Sequence, residues 1–217
     1  MTEQGRRRAA TRERLIAAAF TLISEHSLTS VSVESVCELA GFTRGAFYSN
    51  FGSMDDLLVA LFEKRADDLL TAGGPMVKRD PEASTQKQLM SGVADHLLII
   101  PTDREWFLLV REIAARSLRL PEARRPYIAF HARLHEQTVS ILDEEIHELG
   151  LRATVDLGSL ATSIVAIING WLEQIYLNDV DRDIAMRTCA ATVAALLIGA
   201  TGPAEPTTPG RPASTTD

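Results

Sequence analysis

The chain has 217 residues, a net charge of −7 and 46% hydrophobic residues, with a mean hydropathy of +0.02. This composition predicts a soluble globular protein with one small and one larger domain. Residues 1–14 contain no apolar stretch that could form a signal peptide. The apolar runs at 159–172 and 189–200 are shorter than the ~18 residues of a membrane span. Cys37 and Cys189 lie in separate helical patterns, which argues against a disulfide. We therefore expect a cytoplasmic protein without a membrane partner.

Four helices are predicted in the first 72 residues. The first covers 11–26, where apolar side chains recur at helical spacing. The second begins after Ser32 and ends at Gly41, a residue suited to a helix C-terminus. The third runs from about Arg44 to Asn50 after a Thr43 cap, and the fourth covers 54–72 after a capping box of Ser53 and Asp56.

Two short helices joined by a glycine turn form the motif that lays its second helix in the DNA major groove. Small residues at 45 and 46 allow the backbone to approach the groove. Arg44 can donate two hydrogen bonds to guanine, and the Tyr48 hydroxyl can reach a phosphate. Phe47 and Phe51 are predicted core residues. The pattern therefore predicts a DNA-binding protein.

The segment from Arg12 to Phe62 resembles the N-terminal domain of the tetracycline-repressor (TetR) family of bacterial transcription regulators. The likeness is carried by Ala18-Ala-Phe20, Val33-x-x-Val36, Ala40-Gly-Phe-Thr-Arg-Gly-Ala-Phe-Tyr48, Asn50-Phe-Gly-Ser53 and Asp55-Asp-Leu-Leu58. The resemblance implies an all-α protein, and it implies DNA contacts at Ser32, Thr43, Arg44, Gly45, Ala46, Tyr48, Ser49 and Asn50. Met54 departs from the family, which often has a lysine there to meet the phosphate backbone.

The charge of the chain is unevenly distributed. Residues 1–51 hold six arginines and five acids, whereas residues 52–217 hold 16 basic and 24 acidic residues. Five of the six arginines lie within the first fourteen residues, where we expect a basic arm that reaches phosphates. The alternative is that this arm is only a solvated terminus.

The remaining chain is predicted to be helical near 82–99, 103–118, 121–149, 153–178 and 181–200, with no alternating strand pattern. The sequence Gly73-Gly-Pro75 marks the expected boundary between a DNA-binding domain (1–53, connected by helix 54–72) and a helical effector-binding and dimerisation domain (73–201). The tail from Gly202 to residue 217 is rich in Pro, Thr, Ser and Gly, and we expect it to be disordered.

A small-molecule site is predicted in the second domain, where polar residues interrupt apolar helices close to large aromatic residues. Core packing is the alternative role for most of the aromatics. The candidate effector contacts are Trp106, Phe107, Arg111, Phe130, Asn169 and Glu173. His131 and His135 are four residues apart and could chelate a metal, but no third ligand accompanies them. We therefore expect no metal site and no cofactor. Catalytic motifs are also absent from the sequence, which favours a protein that is not an enzyme.

The motif and the resemblance together imply a ligand-responsive transcription regulator, usually a repressor, that binds a palindromic operator in double-stranded DNA as a homodimer and is released by a small apolar or amphipathic effector. The dimer is expected to form through the last two helices. Its predicted apolar stripes are Leu160, Ile164, Ile168 and Trp171 on one helix and Val193, Leu196, Leu197 and Ala200 on the other. The rival hypothesis is an all-helical enzyme or lipid carrier whose N-terminal helices are only structural.

Overall fold

The computed structural model describes residues 2–25, 31–72, 82–99 and 103–204. Within them the regular structure is almost entirely helical, which confirms the predicted all-α fold. The helices are α1 (Glu3–Glu25), α2 (Val33–Ala40), α3 (Arg44–Tyr48), α4 (Met54–Ala72), α5 (Thr85–Ile99), α6 (Arg104–Ser117), α7 (Pro121–Glu148), α8 (Leu157–Leu177) and α9 (Arg182–Gly199). Gly73-Gly-Pro75, Pro101 and residues 205–217 lie outside the described residues.

Most helices begin at side-chain caps that hold an otherwise unpaired N–H group. Thr43, Asp103, Asp156 and Asp181 cap α3, α6, α8 and α9 in this way. The cap of α4 differs slightly from a capping box. The Ser53 hydroxyl accepts from the Asp56 N–H at 3.1 Å, but the Asp56 carboxylate accepts from the Gly52 N–H at 3.0 Å.

Helix α1 begins at Glu3, eight residues before the predicted start at Thr11. The predicted basic arm is therefore part of a helix. Glu3 and Arg7 form an ion pair of 2.6 Å across one turn of it, and such pairs support an exposed helix. The arginines are consequently carried by a helix and not by an extended arm.

One short sheet was not predicted. Strand β1 (Leu151–Ala153) pairs with β2 (Thr201–Pro203) in antiparallel register, with Arg152 opposite Gly202. Residues 202 and 203 therefore belong to a strand, which corrects the prediction that the tail is disordered from Gly202 onward. The strands tie the end of α9 to the connection between α7 and α8. Three residues are too few to produce a visible alternation in the sequence.

Two apolar clusters fill the interior. The first contains residues of the four helices α1, α2, α3 and α4. It also includes Trp106, Leu109 and Ile113 of α6 and Phe130 of α7. The second joins α5, α8 and α9 to the last turns of α7, at Leu142 and Ile146. Because α6 and α7 contribute to the first cluster, the N-terminal helices are packed firmly onto the rest of the chain.

The dimer stripes proposed from the sequence are largely turned inward. Leu160, Ile164, Val193, Leu197 and Ala200 are all buried in the second cluster of this same chain. The prediction that these residues form the surface stripes is therefore wrong. Helical periodicity shows that a helix has an apolar face. It does not show whether that face packs within its own chain or against a second subunit.

Helix α8 is long and apolar enough to span a membrane by length and composition, with 21 residues and a mean hydropathy of 1.3 over its most apolar window. This corrects the expectation that its apolar run is too short. Only 22% of that window is buried within the chain. A face of α8 is therefore left open.

Candidate DNA-binding interface and effector cavity

The helix-turn-helix is shaped by local backbone chemistry. Ser32 and Ser35 form a reciprocal capping box at the start of α2. At its end, Gly41 has φ +71°, and the N–H of Phe42 reaches back to the Cys37 carbonyl at 2.9 Å. A left-handed residue of this kind closes a helix and reverses the chain. Thr43 then accepts a hydrogen bond from the Ala46 N–H at 3.2 Å and starts α3.

Arg44 and Tyr48 are exposed on α3, while Phe47 between them is completely buried. The Arg44 guanidinium lies 2.8 Å from the Glu34 carboxylate of α2. The hydrogen bond with the Tyr48 side chain, and then the charge of Glu34, raise the pKa of Arg44. Arg44, the first residue of α3, is therefore a positively charged donor that is bound to Glu34 and Tyr48.

The other predicted DNA contacts are engaged mainly with the backbone. The Ser49 hydroxyl and the Asn50 amide both donate to the Ala46 carbonyl at 2.8 Å. Ser32 and Thr43 serve as helix caps, and a Cβ added to Gly45 would approach only the Thr43 hydroxyl, at 3.7 Å. This open space agrees with a backbone that can approach another molecule closely.

Three arginines of α1 contact residues before and after α3, which is called the recognition helix below because the sequence predicts that it enters the DNA groove. Arg8 donates to the Ser49 carbonyl at 3.0 Å, and Arg14 donates to the Ala40 carbonyl at 2.7 Å. Arg12 lies over the Phe51 ring, with 4.6 Å between the guanidinium carbon and the ring centroid. These side chains were predicted to form a basic arm, but they also hold α1 against the turn and α3.

The first turn of α4 is connected to α6 by charge. Arg116, near the end of α6, pairs with Asp55 and lies 2.6 Å from Glu112 one turn earlier. Burial lowers the pKa of Arg116. The side chains of Arg116 and Asp55 are 27% and 37% exposed, so this contact is partly shielded from water. Met54 beside it is half-buried against the first cluster.

An apolar cavity of about 140 Å³ lies between the two clusters and is lined by residues of α4 to α9. Trp106 and Phe130 belong to the first cluster, and Val93, Ile164 and Leu197 belong to the second. All five line the cavity. The cavity wall is therefore built from side chains of both apolar clusters.

Five of the six effector contacts predicted from the sequence line the cavity, namely Trp106, Phe107, Arg111, Phe130 and Asn169. Glu173 does not line it but forms an ion pair of 2.6 Å with Arg111. Arg111 also lies over the Phe107 ring at 5.1 Å.

Sequence reasoning missed most of the aliphatic lining and also His96. The aliphatic residues have no signal that separates a cavity wall from a core, and His96 stood alone in the sequence. His131 and His135, which were considered as a metal-binding pair, have different surroundings. His131 lines the cavity, whereas His135 Nε2 donates to the Gly158 carbonyl at 3.0 Å. Among the described residues no three His, Cys, Asp or Glu side chains form a group that could hold a metal.

Comparison with known proteins agrees with this arrangement. Residues 15–61 match the family described as bacterial regulatory proteins, tetR family. An uncharacterised HTH-type transcriptional regulator of Bacillus subtilis, YwcC, is 44% identical over 59 residues. That alignment covers 27% of this chain and 26% of the relative, so the chain matches about a quarter of its length.

The fold extends the likeness across the chain. A putative TetR-family regulator from Mesorhizobium loti superposes with a TM-score of 0.69 at 18% identity, covering 89% of this chain and 98% of the other. A putative regulator from Saccharomonospora viridis, in complex with choline, superposes with a TM-score of 0.65 at 17% identity, covering 88% and 96% of the two chains. The motif and the matched segment define a helix-turn-helix domain of the kind that binds DNA, and the overall fold resembles that of the TetR-family structures. Residues 15–61 therefore match the DNA-binding domain of the TetR family.

Proposed function

We propose that this protein is a homodimeric repressor that binds a palindromic operator and is released by a small effector. The observation that carries the proposal is the presence of an exposed Arg44–Tyr48 helix and an apolar cavity in one packed chain. Helix α6 contributes to both regions, since Phe107 lines the cavity and Arg116 contacts the start of α4.

The operator contact is assigned to α3. Its Arg44 side chain is 62% exposed and bound to Glu34, so it can exchange that partner for a guanine or a phosphate. The Tyr48 hydroxyl supplies a second donor on the same helix. The exposed arginines of α1 add sequence-independent attraction to phosphates.

The dimer is assigned to the outward faces of α8 and α9. Small residues follow one another on the open side of α8 at Ser163, Ala166 and Gly170, and all three are exposed. The corresponding side of α9 exposes Ile184 and Ile198, with Thr188, Ala191 and Ala195 between them. Small residues let helices of two subunits approach closely, and four such helices form a common interface. A two-fold axis would then place the recognition helices ~34–36 Å apart or at a multiple of that distance.

Release is assigned to an effector in the cavity, and the protein of similar fold from Saccharomonospora viridis is a complex with a small molecule, choline. Helix α4 is one mechanical connection. Its Leu69 lines the cavity, and the Leu70 carbonyl accepts a hydrogen bond from Gln137 of α7 at 3.0 Å. A tilt of α4 would change the spacing of the two recognition helices.

The DNA-binding part is tested with fluorescence anisotropy on labelled DNA from the region flanking the gene. The wild type should bind with nanomolar, salt-sensitive affinity. Arg44→Ala should weaken binding by about 1–3 kcal/mol and relax sequence preference, whereas Tyr48→Phe should weaken it without changing preference. Arg152→Ala, which removes the same charge from β1, is the matched control and should bind normally. Micromolar binding without sequence preference would instead favour an enzyme or lipid carrier.

The dimer is tested by sedimentation velocity at micromolar concentration. Ala195→Arg places a charge in the proposed interface and should produce monomers. Ala132→Arg is the matched control, because Ala132 is an exposed alanine on α7, and it should leave the dimer intact. A monomeric wild type, or an unchanged Ala195→Arg dimer, would contradict the assigned interface.

A further inference from the structure

Two histidines that line the cavity each carry a buried ring nitrogen without a hydrogen-bond partner. His96 of α5 and His131 of α7 both line it, and His96 Nδ1 and His131 Nε2 are buried without a hydrogen-bond partner. A buried polar atom without a partner costs free energy, and nearly all such atoms in folded proteins are satisfied. Each imidazole therefore retains hydrogen-bonding capacity that no group of the described residues uses.

Several neighbouring polar groups of the cavity wall are already engaged with the backbone. The Thr138 hydroxyl donates to the Leu134 carbonyl at 2.8 Å, and the Asn169 amide donates to the Val165 carbonyl at 2.8 Å. The Gln137 amide is likewise bound to α4. The donors of these three side chains are thus already used within the chain, whereas each histidine has a ring nitrogen without a partner.

The charge of the wall restricts the ligand further. Burial lowers the pKa of both His96 and His131, so both imidazoles are neutral near pH 7. Among the described residues that line the cavity, none is an Asp or Glu, and the charge of Arg111 is balanced by Glu173. A buried cation would therefore lack a counter-ion, and a buried anion would find its nearest cation already paired.

We propose that the effector is an uncharged, single-ring compound with a hydroxyl group that hydrogen-bonds His96 and His131. This inference rests on the proposed function, in which the effector occupies this cavity. A hydroxyl both donates and accepts, so it suits either neutral histidine tautomer. The cavity volume of about 140 Å³ is close to the ~150 Å³ of an engineered cavity that binds benzene. The aromatic walls at Trp106, Phe107 and Phe130 suit the ring.

The test compares four probes of one shape and different charge, by isothermal titration calorimetry on the full-length protein at pH 7.5. The probes are 4-ethylphenol, ethylbenzene, 4-ethylbenzoate and 4-ethylbenzylammonium. The phenol should bind most tightly, the hydrocarbon more weakly, and the two ions weakest of all. Tightest binding of the ammonium, the carboxylate or the hydrocarbon would overturn the inference.

Two variants test the histidines themselves. His131→Phe keeps an aromatic ring against Tyr127 and Phe130, and His96→Leu keeps an apolar wall. Each should weaken the phenol roughly 3–10-fold, the effect of one lost hydrogen bond, and should leave ethylbenzene binding unchanged. His147→Leu, at an exposed position on α7 outside the cavity lining, is the matched control. Equal losses for both probes would show that the variants only perturb packing, and would also overturn the inference.

The outcomes separate this inference from the proposed function. Binding of the phenol as expected, with operator affinity unchanged at saturation, would support the ligand chemistry but contradict effector-controlled release. Binding of a different probe that does release the operator would support release and overturn the ligand chemistry. If none of the four probes binds, the assigned ligand class is wrong.

Discussion

The contact between Asp55 and Arg116 should couple the cavity to the DNA-binding helices. Arg116 lies on the same helix as the cavity residues Trp106, Phe107 and Val110, and Asp55 lies in the first turn of α4, directly after the helix-turn-helix. We expect Arg116→Met to reduce the effect of an effector on operator affinity. The reason is that movement of α6 would no longer pull on the start of α4.

The magnitude follows from the burial of the pair. Exposed ion pairs contribute about 0–1 kcal/mol, and breaking a fully buried pair costs about 3–5 kcal/mol. Side chains that are 27% and 37% exposed lie between these limits, so Arg116→Met should lower the free energy of unfolding by about 1–2 kcal/mol. For a chain of this size that is a fall in Tm of about 2–8 °C.

The assay is a double-mutant cycle with Arg116→Met and Asp55→Asn, measured by thermal unfolding and by operator binding with and without a cavity ligand. Arg119→Met, at an exposed arginine three residues later, is the matched control. An effector typically changes the affinity of a protein for its second ligand about 5–150-fold. In either single variant, the factor by which the cavity ligand changes operator affinity should fall toward one. Additive stability losses together with an unchanged factor would refute the role of this pair.

Three further predictions concern stability. Asp103→Ala removes the cap of α6, whose carboxylate accepts from the Trp106 N–H at 2.8 Å, and should cost about 1 kcal/mol in chemical denaturation. Gly41→Ala forces a Cβ into a backbone with φ +71° and to 3.4 Å from the Arg14 guanidinium; it should cost about 1–2 kcal/mol and weaken operator binding in the anisotropy assay. Because the folded-state pKa values of His96 and His131 are lowered from 6.5 by burial, the unfolded chain takes up protons first. Stability should therefore be complete above pH 6.5 and should fall as the pH drops below it, and a Tm that is constant from pH 7.5 to 5.5 would contradict this.

The N-terminal third was predictable because its signals are local. Helix α4 has the predicted bounds, and the turn at Gly41 with the cap at Thr43 are both observed. Cap residues and left-handed glycines act over three or four residues, so they are legible in a single sequence. The start of α1 was missed because a run of arginines was read as an arm, although arginine is also a good helix former.

The second part was less predictable because its function depends on contacts distant in sequence. The cap Asp156 was passed over, and α8 begins at Leu157 instead of 153. The cavity joins residues from six helices, and no spacing along the chain records that assembly. The aromatic residues with polar neighbours were informative, since Trp106, Phe107 and Asn169 all reach the cavity. The outward faces of α8 and α9 gave no comparable signal.

The position of the cavity explains why a ligand there could act at a distance. Phe62 of α4 packs against Trp106 and Phe130 with ring centroids 5.7 and 5.4 Å apart, and both of these aromatic side chains line the cavity. A ligand that moves either ring must also move Phe62 or open a gap beside it, because packed interiors do not deform smoothly. Phe62 belongs to the same cluster as Phe47 of the recognition helix. One buried apolar cluster therefore connects the cavity wall to the recognition helix, and the ion pair between Arg116 and Asp55 is a second connection between α6 and α4.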